Sequence, residues 1–133
     1  MKTIILDTNF LLMYEKYKID IFSEIDRICD FPYELAIIDK TIDELKGKKG
    51  ERIALKLLEI KKVKVIKTNK EGSVDKILKE LFFTKENFGK ETPKELNLKN
   101  IIIATNDRLL MKELKMPVIR LKQKKYLMIE NVL

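Results

Sequence analysis

The sequence predicts a three-layer α/β/α sandwich around a mainly parallel central sheet. The chain has 133 residues, of which 45% are hydrophobic and 37% charged, with only four Gly and three Pro. This size and composition are typical of one folded domain, so we treat residues 1–133 as a single domain. Short continuous apolar runs, typical of strands buried on both faces, alternate with segments of helical spacing. Because the two kinds of segment alternate along the chain, we expect a doubly wound α/β fold.

The predicted strands are brief and strongly apolar. Ile4, Ile5 and Leu6 form a continuous run, which indicates a strand covered on both faces. Strands are predicted at Thr3–Leu6, Leu35–Ile38, Val63–Ile66, Ile101–Ala104 and Val118–Leu121, with Tyr126–Ile129 as a terminal edge strand. In a parallel sheet the carboxyl ends of the strands share one edge, and ligands bind beyond that edge.

Apolar residues three and four positions apart predict the helices. These are placed at Phe10–Tyr17, at Ile21–Cys29, at Thr41–Leu45, along Ile53, Leu57, Leu58 and Ile60, from Ser73 to Leu81, and at Asp107–Leu114. Residues 84–100 contain Gly89 and Pro93 and lack clean periodicity. We predict an extended loop inserted into the domain there, and loops of this length are usually functional or mobile.

Charge and residue types exclude several classes of site. The formal net charge of +7 favours a polyanionic partner, although a lysine-rich solvated surface has the same charge. The absence of His excludes the usual zinc ligand, the usual general base and all Ser-His or Cys-His nucleophile pairs. Cys29 is the single cysteine, which excludes an intramolecular disulfide and multi-cysteine metal sites.

The first residues predict the location of the protein. Met1 comes almost directly before the first predicted strand, without the basic flank and long apolar stretch of a secretory signal. Apolar runs such as Phe10–Met13 and Ile101–Ala104 are far shorter than the roughly 18 residues that span a bilayer. We therefore expect a cytoplasmic protein with no membrane partner.

Four acidic residues follow successive predicted strands. Asp7 and Asp107 come directly after the first and fourth strands, whereas Glu44 and Asp75 lie in the first helical turn after the second and third. Each has an ordinary local explanation. Asp7 and Asp107 fit helix N-caps, and Asp75 is favourable beside a helix dipole. Thr41 with Glu44 fits a capping box. Taken together, the four positions fall at one edge of the sheet.

This convergence predicts a metal site. Four carboxylates in one crevice would repel one another and raise each other's pKa unless cations neutralised them. Oxygen ligands without His or Cys favour Mg²⁺ or Mn²⁺ over zinc or copper. Such an ion lowers the pKa of a bound water and shields the charge that develops on a phosphate. The pattern therefore favours metal-dependent hydrolysis of phosphodiester bonds.

Four motifs carry a family resemblance. They are Leu6-Asp7-Thr8-Asn9, Ile42-Asp43-Glu44-Leu45, Val74-Asp75-Lys76-Ile77-Leu78 and Ile103-Ala104-Thr105-Asn106-Asp107. In this order they resemble the successive motifs of PIN-domain ribonucleases, and the ending from Pro117 to Leu127 resembles an archaeal branch related to ribosomal-RNA-processing PIN proteins. The resemblance implies an endoribonuclease with an acidic Mg²⁺ or Mn²⁺ site that leaves a 3′ hydroxyl and a 5′ phosphate. It further implies RNA as a partner, frequent homodimers, and kinship with VapC-type toxins, whose partner is an antitoxin.

The resemblance also assigns roles to single residues. The metal-binding and catalytic acids would be Asp7, Glu44, Asp75 and Asp107, with Asn9 and Thr105 in support. Capping and turn chemistry explains Asn9 and Thr105 equally well. Asp43 competes with Glu44, but neighbouring helix residues point about 100° apart, so only one should face the crevice. The motif position favours Glu44.

The gap between Asp75 and Asp107 is longer than the compact family pattern, which makes Glu91 an alternative third acid. Asp75 is favoured because a helix fixes a ligand better than a loop.

RNA contacts are predicted for Arg108, Lys122, Lys124 and Lys125, although an exposed helix or edge strand explains such cations equally well.

The rival function is a noncatalytic PIN-like RNA-binding or scaffold module of a ribosome-maturation complex, in which the acids are helix caps.

Overall fold

Six strands form the central sheet of the computed structural model, which describes residues 1–82, 98–114 and 116–130. The strands are β1 (Lys2–Leu6), β2 (Tyr33–Ile38), β3 (Lys64–Ile66), β4 (Ile101–Ala104), β5 (Val118–Lys122) and β6 (Tyr126–Glu130). Their order in the sheet is β3-β2-β1-β4-β5-β6. All neighbouring pairs are parallel except β5 and β6, which form an antiparallel hairpin. The predicted mainly parallel sheet is confirmed.

Seven α-helices connect the strands in the described ranges. They are α1 (Thr8–Leu11), α2 (Met13–Tyr17), α3 (Ile21–Ile28), α4 (Asp39–Leu45), α5 (Glu51–Ile60), α6 (Val74–Phe82) and α7 (Arg108–Glu113). The predicted helix at Phe10–Tyr17 is thus divided into two short helices that meet at Leu12.

Two hydrophobic cores lie on opposite faces of the sheet and produce the three layers. Ile4 and Leu6 of β1 belong to a core that contains residues of α1 to α5, whereas Ile5 belongs to a second core formed with α6 and α7. Alternate side chains of a strand point to opposite faces. Since both faces of β1 are covered, the strand is apolar at every position, and the predicted α/β/α sandwich is confirmed.

Helix α5 is present where the apolar spacing predicts it, but only part of the apolar set is buried. Ala54 and Leu58 are the buried residues of this helix, and they are four positions apart on one face. Ile53 and Ile60, which were expected to line the helix's packed face, are 39% and 59% exposed. Helical spacing identified the helix, but two apolar stripes fit the same spacing, and only packing against the sheet decides which of them is buried.

Much of the predicted inserted loop at 84–100 lies outside the described residues. Its last three, Leu98–Asn100, form a 3-10 turn that leads into β4. No helix in the described parts of the chain is both long and apolar enough to cross a membrane.

We expect two Ile→Ala substitutions in helices to separate buried from exposed positions. Ile77 of α6 is fully buried and Ile60 of α5 is 59% exposed. Ile77→Ala should lower the free energy of unfolding by about 2–5 kcal/mol, because it removes buried methyl groups and leaves a cavity. Ile60→Ala should change it by about 0.5 kcal/mol or less. Urea denaturation of both variants measures the difference, and equal losses would contradict the burial of this core.

Candidate functional site

The carboxyl ends of β1 and β4 place Asp7 beside Thr105. Leu6 is paired with Ala104 in the parallel register, and the Asp7 amide donates to the Ala104 carbonyl at 2.9 Å. The residues that follow both strands are therefore neighbours. The Thr105 hydroxyl donates to Asp7 Oδ2 at 2.8 Å, and both residues are buried. The sheet register thus joins two residues that are 98 positions apart in the chain.

Asp7 is a buried carboxylate with both oxygens hydrogen-bonded. Its side chain is only 4% exposed, and Oδ1 accepts from the Thr8 amide at 2.8 Å. Burial raises the pKa of Asp7 above its ordinary value, against the opposing effect of the hydrogen bonds from Thr105 and Thr8. The carboxylates of Glu44 and Asp107 raise this pKa further. Three of the predicted acids therefore interact electrostatically at one edge of the sheet.

Glu44 connects three helices at this edge. Its Oε1 accepts from the Thr8 hydroxyl at 2.8 Å and its Oε2 accepts from the Val74 amide at 2.9 Å. These donors belong to α1 and to the first turn of α6, whereas Glu44 itself belongs to α4. A single carboxylate therefore fixes the positions of α1, α4 and α6 relative to one another.

The capping box expected for Thr41 and Glu44 is wrong. Helix α4 begins at Asp39, two residues before Thr41, and its N-cap Ile38 makes no side-chain capping bond. Thr41 is fully buried, and its hydroxyl has no hydrogen-bond partner among the described residues. Because Glu44 is bonded to Thr8 and Val74 instead, it faces the crevice rather than the start of its own helix.

Asp43 points away from the site. It is exposed and pairs with Lys46 at 3.5 Å on the surface of α4. The two adjacent acids thus have separate environments, as the angle between neighbouring helix positions requires. Of the two, Glu44 is placed beside Asp7.

Asp107 caps α7 and is connected to Asp7 through Thr105. Its Oδ1 accepts from the Leu109 and Leu110 amides at 3.0 and 3.2 Å, so the capping role considered for it is present. Its own amide donates to the Thr105 hydroxyl at 3.1 Å, and that hydroxyl donates in turn to Asp7. Thr105 therefore spaces two acids that repel each other.

Asp75 lies on the flank of this group and is paired with a cation. Its carboxylate accepts from the Ser73 hydroxyl and lies 3.9 Å from Lys79 Nζ. Lys79 also contacts Glu113 at 3.0 Å, so it bridges α6 and α7. The hydrogen bond with Glu113 raises the pKa of Lys79, with further contributions from Asp75 and Asp107. A lysine therefore accompanies Asp75, and the alternative Glu91 lies outside the described residues.

The remaining predicted residues lie around this group. Asn9 is exposed on α1, and its side chain has no hydrogen bond with another described residue. Arg108 is exposed at the start of α7, and Lys122, Lys124 and Lys125 belong to the β5–β6 hairpin. Within the described ranges, no three acidic side chains are placed closely enough to hold one metal ion as they stand.

Sequence reasoning missed Thr8 as a residue of the site. Thr8 belongs to the first motif but received no role in the sequence analysis, yet its amide donates to Asp7 and its hydroxyl donates to Glu44. Thr8 is also only 4% exposed, which is low for a residue at the start of a helix. The signal was its position directly after a strand-ending acid, but its second partner is 36 residues away in the chain.

Comparisons with known proteins agree with this architecture. The family described as "PIN like domain" matches residues 4–124. Ribonuclease VapC4 of Methanocaldococcus jannaschii is 32% identical over 138 residues, covering 95% of both proteins. The solved structure of the PIN domain endonuclease Utp24 has a TM-score of 0.72 at 21% identity, over 98% of this chain and 95% of that one, and it supports the fold. The chain belongs to the PIN-like domain family.

Proposed function

We propose that this protein is a metal-dependent endoribonuclease whose Asp7, Glu44 and Asp107 bind Mg²⁺ or Mn²⁺. The observation that carries the proposal is geometric: Asp7 is buried and is joined through Thr105 to Asp107 and through Thr8 to Glu44. A fold that holds like charges together in a buried place disfavours their ionised forms, and a divalent cation removes that penalty. The name of the VapC4 relative, a ribonuclease, supports RNA as the substrate, as does the net charge of +7.

The donor chemistry fits a hard divalent cation. All three side chains supply oxygen, which is the ligand type that Mg²⁺ and Mn²⁺ prefer. No three acids in the described residues form a complete cage as they stand. Mg²⁺ needs no such cage, because it commonly takes one or two carboxylates and completes its shell with waters and substrate phosphates. Asp7 and Glu44 are the direct ligands in this proposal, with Asp107 acting directly or through water.

Hydrogen bonds from neighbouring residues orient the acids for hydrolysis in this proposal. A bound divalent ion would lower the pKa of the attacking water and shield the charge on the phosphate. Each carboxylate oxygen of Asp7 and Glu44 accepts one hydrogen bond, and since such an oxygen has two lone pairs, each can still bind a cation. Burial of Asp7 excludes bulk water from this ligand. Asp75 with Lys79 forms the flank of the crevice and contributes charge balance.

We expect Asp7→Asn to stabilise the protein in the absence of divalent ions. Because folding raises the pKa of Asp7, its ionisation at neutral pH opposes folding, and this cost is absent where the carboxyl is protonated in both states. Asp7→Asn should therefore raise Tm at pH 7, and by less at pH 4. Thermal unfolding in EDTA at both pH values measures this. The exposed control Asp43→Asn should shift stability by about 0.5 kcal/mol or less. Asn has only one acceptor oxygen for the two donors Thr8 and Thr105, so the comparison between the two pH values is the test. An effect of Asp7→Asn on Tm that is no more favourable at pH 7 than at pH 4 would contradict the proposed environment.

Added Mn²⁺ should reverse this order of stability. An ion that binds only the folded state raises its stability by RT ln(1 + [L]/Kd), which is about 2.7 kcal/mol at one hundred times Kd. Tm of the unsubstituted protein should therefore rise with Mn²⁺ concentration, whereas Tm of Asp7→Asn and Glu44→Gln should rise much less. Thermal shift assays with MnCl₂, and with CaCl₂ for comparison, measure this without reference to activity. An identical Mn²⁺ response in all variants would place the ion elsewhere.

A pair of adjacent acids gives the matched test of catalysis. Glu44→Gln should lower kcat/KM for RNA cleavage by about 100-fold, because it weakens a metal ligand and a site hydrogen bond. Asp43→Asn changes the same charge one residue away on the exposed face and should leave kcat/KM within about threefold. A labelled single-stranded RNA with Mn²⁺, with and without EDTA, is the assay. Salt-sensitive RNA binding without cleavage would instead support the noncatalytic module.

A further inference from the structure

A polar cavity of about 320 Å³ opens next to the acidic group. Its polar and aromatic lining comes from Tyr17, Asn106, Arg108, Arg120, Gln123 and Lys124. Three of these residues are cations, and none of the described lining residues is acidic. The volume lies at the lower end of the range of about 300–1,000 Å³ found for small-molecule sites. The cavity therefore has the size and charge of a site for one small anion-bearing group.

The cavity lies next to Asp107, one of the proposed metal ligands. Asn106 and Arg108, which flank Asp107 in the chain, both line it. Asp107 in turn interacts with Asp7 across the carboxyl ends of β4 and β1. A negatively charged crevice and a positively charged cavity are thus adjacent. A nucleic acid strand approaching the acids is repelled by them, and the cations next to them offset this repulsion.

Hydrogen bonds hold the far wall of the cavity in place. Asn106 Oδ1 accepts from the Leu121 amide at 2.9 Å, which joins the residue before Asp107 to β5. Arg120 Nε donates to Glu130 Oε1 at 2.7 Å across the hairpin. This pairing leaves the two terminal nitrogens of Arg120 without a hydrogen-bond partner among the described residues. A fixed guanidinium with free donors is well suited to bind a phosphate.

The hairpin turn brings a further cation to the rim. Gln123 and Lys124 both have φ of 54°, in the left-handed region, and the Lys125 amide donates to the Lys122 carbonyl at 3.1 Å. Positive φ at both central residues matches the type I′ turn, which usually contains Asn or Gly. Side chains at these positions cost conformational energy, so the rest of the hairpin holds the turn in this form. Lys124 is consequently held at the cavity.

Tyr17 supplies an aromatic surface at the same cavity. The ring is half-buried, packs against the larger core and lines the cavity wall. Lys16 Nζ lies 5.2 Å from the ring centroid, so the face of this ring also attracts a cation. Exposed aromatic rings beside cations are the elements with which proteins bind unpaired nucleotides, because any base can stack on them. Met111 adds apolar contact to the lining.

We propose that this cavity is a single-nucleotide subsite, in which a base stacks on Tyr17 while Arg108, Arg120 and Lys124 hold its phosphate. The proposal rests on the proposed function, since it identifies the cavity as the place where RNA next to the scissile bond is held. It makes unpaired RNA the favoured substrate, because a base within a duplex cannot stack on a protein ring. Tyr17 and the three cations bind and position the strand, whereas the acids carry the reaction.

Binding of a single nucleotide tests the subsite without metal or cleavage. In EDTA, adenosine 5′-monophosphate should bind the unsubstituted protein and shift the amide signals of Asn106, Leu121 and Gln123. Tyr17→Ala should weaken this binding about tenfold, and Tyr17→Phe, which keeps the ring, should restore it. Arg108→Ala should weaken both adenosine 5′-monophosphate and ribose 5-phosphate. The control Lys64→Ala removes an exposed cation from the amino end of β3, at the opposite edge of the sheet, and should have no effect.

Three results would overturn the subsite. They are equal affinity for ribose 5-phosphate and adenosine 5′-monophosphate, undiminished binding by Tyr17→Ala, and amide shifts confined to another part of the protein. Equal affinity for the two ligands would mean that the cations bind the phosphate and that the base adds nothing. Thermal unfolding of each variant establishes that it is folded. Because these measurements need no cleavage, a protein that binds the nucleotide as expected but never cuts RNA would refute the proposed function and leave the subsite standing.

Cleavage kinetics then connect the subsite to the reaction. With single-stranded RNA and Mn²⁺, Tyr17→Ala should raise KM about tenfold and change kcat by less than about threefold, because stacking contributes to binding. A substrate with one abasic position should show the same loss when that position occupies the subsite, and Tyr17→Ala should then add nothing. Additive losses at every abasic position would show that Tyr17 does not contact a base.

Discussion

The acidic edge of this protein depends on a few hydrogen bonds that hold like charges together. Thr8 and Thr105 each donate a hydroxyl to a carboxylate, and Thr8 also donates its amide. These donors favour the ionised acids, whereas burial and mutual repulsion disfavour them. For Asp7 burial is the larger effect, because its pKa is raised despite two hydrogen bonds. In the proposed function this residual instability favours a divalent cation, since a group already satisfied in the folded protein would gain little from a ligand.

The sheet topology explains how such an arrangement arises from distant segments. Parallel strands β1 and β4 are direct neighbours, so the residues that follow them meet without any further loop structure. The helices α4 and α6 begin at the same edge because they follow β2 and β3. The starts of α1, α6 and α7 therefore lie at the crevice, whereas α4 contributes Glu44 from its second turn. The same geometry allows Asp107 to serve two purposes, since it caps α7 through Oδ1 and still lies close enough to affect Asp7. A capping role and a ligand role are compatible for one carboxylate, because each oxygen has two lone pairs.

Charge is distributed unevenly over a protein whose net charge is +7. The acids gather at the crevice, and cations line the cavity next to it, where Arg108 and Arg120 lie on either side of the Asn106 link. Lys79 has a different role, because it is bound by Glu113 and Asp75 and joins α6 to α7. Arg120 is paired with Glu130 through Nε alone, which leaves its two terminal nitrogens for a polyanion, whereas Lys79 is paired with two carboxylates. The distinction matters for the proposed reaction, since RNA can bind cations that keep free donors without disturbing the protein.

The sequence alone determined the layers and the edge at which the acids lie. Continuous apolar runs such as Ile4–Leu6 reflect a strand covered on both faces, and this signal is local, as is the position of an acid after a strand. Only the tertiary structure decided which partners the acids have. The capping-box motif suggested local hydrogen bonds between Thr41 and Glu44, but the donors to the Glu44 carboxylate come from α1 and α6. Helical spacing likewise could not show which face of α5 is buried. Nor could it show that Lys79 pairs with both Asp75 and Glu113. Hydrophobic periodicity indicates which residues are buried, whereas the partner of a polar group is set by the packing of segments far apart in the chain.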